Sequence, residues 1–283
     1  MTDLELCVWV KDRPLRALSL GAGVQSSCMA LMSSMGEIER VDLAIFCDTQ
    51  GESAETYRWL DWLEGQLSFP VVRVTAGSLA EDSLRLRHHQ TKEGTYANNK
   101  IPAFMVQPDG SRGLLGRRCT VDYKVIPFHR EVKRLLGGRK RGDKTAESWI
   151  GISTDEAHRM KPTKERSIIN RWPLIEENMS RRDCLAWMEA KGFPRPPRSS
   201  CTFCPFHSDQ EWVHLRENSP DEFASVVQFE KSLQETCASA TLNNLHGVPF
   251  LHPDGVPLDT VDFDKEDAQM NLFGNECEGM CGV

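Results

Sequence analysis

Two cysteines separated by two residues form the most chemically informative spacing in this sequence. Residues 201–205 read Cys-Thr-Phe-Cys-Pro; at this spacing two thiolates can reach one metal centre, and a proline commonly follows the ligands of iron–sulfur clusters. Cys119 is a further candidate, since Arg117 and Arg118 precede it and cationic neighbours favour the thiolate form. By its spacing, the C-x-x-C motif could hold an iron–sulfur cluster or a zinc ion, or act as a redox pair.

A second candidate site is the loop of residues 21–27, which reads Gly-Ala-Gly-Val-Gln-Ser-Ser. It follows a short apolar run and precedes helix-forming residues, so it predicts a strand–loop–helix unit. Small residues let the backbone approach an anion, and the amide groups and dipole of the helix N-terminus attract a phosphate. A tight turn with a serine that caps the helix is the alternative. The candidate nucleotide-binding residues at this strand end are Ser19, Gly21, Ala22, Gly23, Gln25, Ser26 and Ser27.

Polar residues also follow the second predicted strand. Asp48 and Thr49 come directly after an apolar run, and ligands at the switch point of a doubly wound sheet are bound by such strand ends. Asp48 and Thr49 are therefore candidate nucleotide-binding residues. The alternative is that they cap the following helix.

Apolar segments alternate with helix-like segments along the chain. Predicted strands cover residues 15–20, 41–46, 71–74 and 149–152, and predicted helices cover residues 26–35, 55–67, 124–136, 181–191 and 219–238. This alternation predicts an α/β fold with an open, mostly parallel, doubly wound sheet of the Rossmann-like type. Residues 85–118 have no clear period and are predicted to form a long loop or lid. We divide the chain into a nucleotide-binding domain with the cluster cysteines, residues 1–215, and a C-terminal helix with an acidic, cysteine-containing tail, residues 216–283.

The composition restricts the class of protein. The chain has 283 residues, a net charge of −7 and ten cysteines. No apolar run approaches the ~20 residues that span a bilayer and no signal-peptide pattern is present, so we expect a cytoplasmic protein without membrane contact. Cytosolic thiols stay reduced, so the cysteines indicate metal binding or thiol chemistry. Five of them lie in apolar patterns and are predicted to be buried: Cys7, Cys28, Cys47, Cys184 and Cys237.

Positive charge is concentrated in the middle of the chain. Residues 101–200 contain 21 Lys and Arg against 12 Asp and Glu, an excess of +9 that leaves −16 for the rest. A basic region of this kind attracts an anionic partner, either a nucleotide or the backbone of a nucleic acid.

Taken in order, these motifs resemble those of the PP-loop ATP pyrophosphatases and of the related adenylyl-sulfate and phosphoadenylyl-sulfate (PAPS) reductases. The loop 21–27 is similar to the PP-loop Ser-Gly-Gly-x-Asp-Ser, with Gly21, Ala22 and Gln25 at three substituted positions. Residues 48–57 resemble the reductase motif Asp-Thr-Gly-x-x-x-x-Glu-Thr-Tyr.

Three further segments are similar to segments of this superfamily. Residues 119–127 resemble the cysteine-containing Lys-x-x-Pro segment of the reductases and of nucleic-acid thiolation enzymes, which joins a later C-x-x-C around a [4Fe–4S] cluster. This resemblance implies that Cys119, Cys201 and Cys204 are cluster ligands. Gly151 stands where the reductases have a Gly-x-Arg motif for the nucleotide, and Ser153 replaces its arginine. The tail around Cys277 is similar to the Glu-Cys-Gly-x-His tail of the reductases, without the histidine.

The resemblance implies a fold of the adenine nucleotide alpha hydrolase type, ATP or another adenine nucleotide as ligand, Mg²⁺ as a candidate companion ion, and a [4Fe–4S] cluster. Cys277 or Cys281 is the candidate fourth cluster ligand, and an open iron is the alternative.

Three functions follow from the resemblance. The first is thiolation of a nucleic acid through an adenylylated intermediate, with a protein that donates sulfur or electrons as a further partner. The second is reduction of a sulfonucleotide, with Cys277 as the attacking thiol; Asp48 is the other catalytic candidate. The third is a nucleotide- or nucleic-acid-binding subunit that has lost catalysis.

Overall fold

The structure, a computed structural model, describes residues 13–137, 146–242 and 247–263. In chain order its strands are β1 (Leu15–Ser19), β2 (Leu43–Asp48), β3 (Val71–Thr75), β4 (Leu86–His88), β5 (Thr95–Ala97), β6 (Phe104–Val106), β7 (Arg112–Leu114), β8 (Ala146–Ile150), β9 (Ile168–Arg171) and β10 (Val248–Phe250). Its helices are α1 (Val24–Met35), α2 (Ala54–Glu64), α3 (Leu79–Ser83), α4 (Ile126–Leu135), α5 (Pro173–Glu176), α6 (Arg181–Ala190), α7 (Asp209–Asn218) and α8 (Pro220–Ala238). A π-helical turn, Val121–Val125, precedes α4, and 3-10 turns cover Thr154–Arg159 and Leu258–Thr260.

The central sheet has five strands in the order β3-β2-β1-β8-β9, and all neighbouring pairs are parallel. From β1 the chain moves outward to β2 and β3, and it later returns to place β8 on the other side of β1. The strand order therefore reverses at β1, and the carboxyl ends of β1 and β8 border the crevice where open α/β sheets bind ligands. The prediction of an α/β fold with an open parallel sheet is confirmed.

Helices cover both faces of the sheet. Successive side chains of a strand point to opposite faces, so alternate residues of β2 belong to different cores. On β2, Leu43 and Ile45 belong to the core that contains residues of α4. Ala44 and Phe46 belong to the core that contains residues of α1, α2 and α6. Four of the cysteines that the sequence predicts to be buried are buried, namely Cys28, Cys47, Cys184 and Cys237; Cys7 lies outside the described residues.

Local signals define the ends of the helices beside the crevice. Helix α1 ends at Gly36, whose φ of 77° lies in the left-handed region that glycine adopts readily. Helix α6 begins at Ser180, whose hydroxyl accepts from the amide of Asp183 while the Asp183 carboxylate accepts from the amide of Ser180. This reciprocal pair satisfies two amide groups that the first helical turn leaves without partners.

Residues 85–118 contain strands, so the prediction of a long loop was wrong. Strands β4 and β5 form an antiparallel hairpin, and β6 lies between β7 and β10 in a three-stranded antiparallel sheet. Each of these strands has only three residues, which is too short to produce a readable alternation of polar and apolar side chains. Strand β9 and helix α7 were also absent from the predicted elements.

A third apolar core joins the segments that flank the three-stranded sheet to the C-terminal helices. It includes Ile101, Trp212 and Leu233, and thus residues on both sides of position 215. The proposed division of the chain at that position remains a prediction. Residues 264–283, with Cys277 and Cys281, lie outside the described residues. In the described ranges, none of the helices combines the length and the apolar character that a membrane span requires.

Candidate functional site

The loop of residues 21–27 connects β1 to α1 and folds back on itself. The amide of Gly21 donates to the hydroxyl of Ser26 at 3.2 Å, and that hydroxyl lies 3.3 Å from the carbonyl oxygen of Gly23. Ala22 has a φ of 59°, a left-handed conformation that is uncommon for a residue with a side chain. Gly23 is the residue before the first turn of α1, and no side chain caps this end of the helix. The N-terminus of α1 is therefore placed at the carboxyl end of β1, as the sequence predicts.

The two serines of the loop have different surroundings. Ser26 contacts the loop backbone, whereas Ser27 is fully buried and its hydroxyl accepts from the indole nitrogen of Trp59 at 3.0 Å. Ser27 thus connects α1 to α2. A role of Ser27 in binding a phosphate stays a prediction. The serine hydroxyl that contacts the backbone of the loop is that of Ser26.

Gly151 brings the end of β8 into direct contact with the start of α1. A Cβ atom at position 151 would lie 2.9 Å from the amide nitrogen of Ser26 and 3.1 Å from its Cα. These are backbone atoms, so they cannot move aside as the end of a flexible side chain can. The absence of a side chain at Gly151 therefore permits the close approach of β8 to the loop at the switch point of the sheet.

Asp48 lies at the carboxyl end of β2, next to the loop. One of its carboxylate oxygens accepts from the hydroxyl of Tyr57 and from the amide of Gln50, both at 2.7 Å. Burial raises the pKa of Tyr57 above its usual value, and the hydrogen bond to Asp48 raises this pKa further. Tyr57 therefore stays protonated and holds the carboxylate of Asp48 in one orientation.

Thr49 faces the interior and contacts a cysteine. Its hydroxyl lies 3.1 Å from the sulfur of Cys201 and 3.3 Å from a carboxylate oxygen of Glu52. The same oxygen lies 3.4 Å from the ammonium nitrogen of Lys124 and 3.9 Å from the sulfur of Cys201. The Glu52 and Lys124 side chains are buried, so their charges compensate each other in a poorly solvated environment.

The segment of residues 199–204, which we call the cysteine segment, contacts the loop of residues 21–27 and the residues that follow β2. The hydroxyl of Ser199 donates to the carbonyl oxygen of Gly21. The amide of Thr202 donates to the carbonyl oxygen of Gly51 at 2.8 Å, and Glu52 and Cys201 form an isolated antiparallel bridge. The candidate phosphate loop, the end of β2 and the C-x-x-C motif therefore lie together in one region of the molecule.

Cys119 lies next to the same part of the molecule. Its amide donates to the carbonyl oxygen of Lys100 at 2.9 Å. The side chains of Cys119 and Cys201 both pack against the third apolar core, and Cys204 is buried. In the ranges that the structure describes, no three His, Cys, Asp or Glu side chains converge as they would around a single metal ion.

A polar network connects Gln25 of the phosphate loop to the residues after β8 and to the start of α6. The amide oxygen of Gln25 accepts from Arg181 at 3.0 Å, and its amide nitrogen contacts Glu156 at 3.3 Å and Ser153 at 3.4 Å. Glu156 in turn forms an ion pair with Arg159 at 2.7 Å. Gln25 therefore connects α1, the end of β8 and the start of α6.

Four residues of this site were not predicted as site residues from the sequence: Glu52, Lys124, Arg181 and Ser199. Each acts through a contact with a distant part of the chain, and its residue type alone does not reveal that contact. Lys124 was noted only as part of a motif, and Arg181 only as part of the general positive charge.

Comparisons with known proteins give little information about this chain. No protein-family model matches it, and no curated protein matches it. Among solved structures, it is similar to the crystal structure of phosphoadenylyl-sulfate (PAPS) reductase from Candida auris in complex with phosphate. The similarity has 16% sequence identity and a TM-score of 0.40, and it covers 69% of this chain and 82% of the other. At this level the similarity establishes neither a family nor a function.

Proposed function

We propose that this protein is an adenine-nucleotide-dependent enzyme of sulfur chemistry, whose first candidate reaction is the thiolation of a nucleic acid. One observation carries the proposal: the cysteine segment contacts the phosphate loop through Ser199 and the end of β2 through Cys201. A nucleotide on these strand ends and a sulfur group at the C-x-x-C motif would therefore be neighbours. Such proximity is what transfer between the two requires.

The nucleotide would occupy the crevice at the carboxyl ends of β1, β2 and β8. The amides at the start of α1 and the hydroxyl of Ser26 would bind its phosphates. Asp48, oriented by Tyr57, would bind a hydroxyl or amino group of the nucleoside or an associated Mg²⁺ ion. ATP would then transfer its adenylyl group to an acceptor oxygen of the nucleic acid with release of pyrophosphate, and a sulfur nucleophile would displace AMP from that acceptor.

Cys119, Cys201 and Cys204 are the proposed ligands of a [4Fe–4S] cluster. Cys119 and Cys201 pack against one apolar core, and Cys204 is buried three residues after Cys201. A cubane cluster takes one thiolate at each iron, so its ligands need not converge as the ligands of a single ion do. Cys277 is the proposed fourth ligand and lies outside the described residues. When bound, such a cluster would supply sulfur or electrons, while Thr49 would donate a hydrogen bond to the sulfur of Cys201.

Purification without oxygen tests the cluster. We expect a brown protein with about four irons and four sulfides per chain, and Cys201→Ser and Cys204→Ser should lose the colour. Cys237→Ser is the matched control, because Cys237 is a buried cysteine of α8 that is not a proposed ligand. A colourless protein that contains zinc would contradict the cluster.

Mass spectrometry of nucleic acids tests the reaction. Nucleosides from cells with the wild-type protein should contain a sulfur-bearing species that is absent from cells with Cys201→Ser. The basic middle of the chain supports a nucleic-acid acceptor, although many of its cations are paired, such as Arg171 with Glu176 and Lys133 with Glu165. Identical nucleoside profiles would contradict this reaction.

Reduction of a sulfonucleotide is the second candidate. Gln25 favours this reaction. Its side chain is an amide that accepts from Arg181, so the loop supplies no carboxylate at this position for a metal ion. In this reaction the thiolate of Cys277 would attack the sulfur and release the nucleotide, and sulfite would leave when a reductant cleaves the resulting bond. Sulfite release from PAPS that is unaffected by Cys277→Ser would exclude this nucleophile.

A further inference from the structure

The hairpin of β4 and β5, with the residues that close its base and its turn, concentrates positive charge on the surface. It contains Arg85, Arg87 and Lys92 against one carboxylate, Glu93, and all four residues are exposed. Arg85 forms an ion pair with Asp82 at 3.1 Å, so the excess of positive charge comes from the other two cations. A charged, exposed element of this kind attracts an anionic partner.

One face of the hairpin combines a cation, an imidazole and an aromatic ring. Arg87 lies directly opposite Tyr96 in the register of the two strands, so their side chains share a face. The ring of His89 meets that of Tyr96 edge to face, with centroids 6.2 Å apart. The Nδ1 atom of His89 accepts from the amides of Thr91 and Lys92, both at 3.2 Å. The proton of the neutral imidazole is therefore on Nε2, which is a donor.

We call the surface formed by Arg87, His89 and Tyr96 the basic–aromatic face. The base of its hairpin is connected to the segment that contains Cys119. The amide of Asn98 donates to the carbonyl oxygen of Arg85 at 3.1 Å and closes the hairpin. Two residues later, the carbonyl oxygen of Lys100 accepts from the amide of Cys119 at 2.9 Å. Two residues of extended chain span about 7 Å, so the base of the hairpin lies close to the backbone of this cysteine.

Arg87 lies on the side of the hairpin near the turn that follows Cys119. Tyr123 belongs to this turn, and its hydroxyl donates to the carboxylate of Asp82 at 2.5 Å. Burial raises the pKa of Tyr123, and the positive charge of Arg87 opposes this rise. The guanidinium must therefore lie near the Tyr123 hydroxyl. The basic–aromatic face and the proposed cluster ligand Cys119 are thus neighbours.

We propose that the basic–aromatic face binds a single-stranded stretch of nucleic acid. A phosphate would accept from Arg87 and from Nε2 of His89, and an unpaired base would stack on the ring of Tyr96. The bases of a duplex are stacked on each other, so a duplex would use only the phosphate contacts. The inference rests on the proposed thiolation, for which this face would hold the acceptor strand beside the cysteines.

Fluorescence anisotropy with labelled oligouridine and oligothymidine tests the proposal, and the tighter ligand identifies the sugar. Arg87→Gln should weaken binding about fivefold, as expected for one exposed charge contact. It should also reduce the slope of log affinity against log salt by about 0.7, the effect of one phosphate contact on a single strand. Tyr96→Leu should weaken binding by about 5- to 100-fold, the contribution of one stacked base. Tyr96→Phe keeps the ring and should bind as wild type does.

Arg166→Gln is the matched control for the charge change. Arg166 is exposed and precedes β9, so it lies at the amino edge of the parallel sheet, opposite the edge that bears the candidate site. This variant should leave the affinity within about twofold at physiological salt. Thermal unfolding establishes that each variant is folded. An equal loss with Arg166→Gln would mean that general positive charge attracts the strand, which overturns the proposal.

A DNA duplex of the same length tests the role of the aromatic ring. Tyr96→Leu should bind the duplex as wild type does, because the duplex offers no unpaired base. If Tyr96→Leu lost affinity for the duplex and for the single strand to the same extent, stacking on Tyr96 would be excluded and the proposal overturned.

The outcomes distinguish the basic–aromatic face from the proposed function. If wild-type protein binds an oligonucleotide and the Arg87 and Tyr96 variants bind it equally well, only the assignment of this face is wrong. If these variants lose binding but the nucleosides of cells show no sulfur-bearing species, the face is supported and the thiolation is contradicted. If wild-type protein binds neither oligonucleotide, both the face and a nucleic-acid acceptor are contradicted.

Discussion

The hydroxyl of Thr49 lies 3.1 Å from the sulfur of Cys201, although 152 positions separate these residues in the chain. Thr49 belongs to the strand end that is proposed to hold the nucleotide, and Cys201 belongs to the C-x-x-C motif. This contact makes the two motifs parts of one candidate site.

The Thr49 hydroxyl should stabilise both the fold and the cysteine segment. Thr49→Val keeps the shape of the side chain and removes the hydroxyl. We expect the free energy of unfolding to fall by about 1–2 kcal/mol, because Glu52 and Cys201 lose a buried polar contact. Urea denaturation measures this loss. Iron bound after anaerobic reconstitution should also decrease.

Thr236→Val is the control for this variant. The hydroxyl of Thr236 donates to the carbonyl oxygens of Ser232 and Leu84, and no cysteine takes part in these contacts. A comparable loss of stability with unchanged iron content is expected. Equal iron content in both variants would argue against a link between Thr49 and the cysteines.

The buried ion pair between Lys124 and Glu52, at 3.4 Å, should make a large contribution to stability. Lys124→Met leaves the carboxylate of Glu52 buried without this cation, and we expect a loss of about 3–5 kcal/mol in the free energy of unfolding. The double variant Lys124→Met, Glu52→Gln should lose less than the sum of the single variants. Urea denaturation of the four proteins gives the coupling energy.

An exposed ion pair provides the comparison. Lys231 and Asp259 lie 3.1 Å apart with half-exposed side chains, so Lys231→Met should cost less than about 1 kcal/mol. Additive losses at Lys124 and Glu52 would show that the two buried residues act independently.

Gly151 should tolerate no side chain. In Gly151→Ala the new Cβ would meet the backbone of Ser26 at 2.9 Å, so α1 or β8 must shift. We expect a loss of about 1–3 kcal/mol in stability and weaker binding of ATP, measured by calorimetry. Gly113→Ala is the matched control, because no atom lies within 4 Å of its added Cβ. Unchanged ATP binding in Gly151→Ala would separate this contact from the nucleotide site.

His129 should make the stability of the protein depend on pH. Burial lowers the pKa of His129, Lys133 lowers it further, and Glu165 opposes them. Since the pKa is lower in the folded than in the unfolded state, the stabilisation is complete above the unfolded value of about 6.5. It is lost as the pH falls from there through the folded pKa.

Measurements of unfolding at several pH values test this prediction. Relative to wild type, His129→Gln should become progressively more stable below pH ~6.5, by at most about 1.4 kcal/mol for each pH unit. Parallel curves for wild type and His129→Gln would contradict the prediction.

Much of the central fold could be predicted from local patterns. Apolar runs identified β1, β2 and β3, and the predicted helices 26–35 and 181–191 correspond to α1 and α6, because such signals depend on neighbouring residues. The three-residue strands β4 to β7 were not predictable in this way. Strand β6 also pairs with β10, which lies far along the chain, and no local pattern indicates that partner.

By itself, the sequence determined the strand–loop–helix around Gly21, the polar end of β2 and the spacing of Cys201 and Cys204, since each is a property of a short stretch of chain. Only the tertiary structure decided which of these stretches touch. The contact between Arg181 and Gln25 spans 156 positions, and that between Ser199 and Gly21 spans 178. No local pattern records such pairs, because they arise when the parallel sheet brings the ends of distant strands to one edge and the later helices pack against that edge.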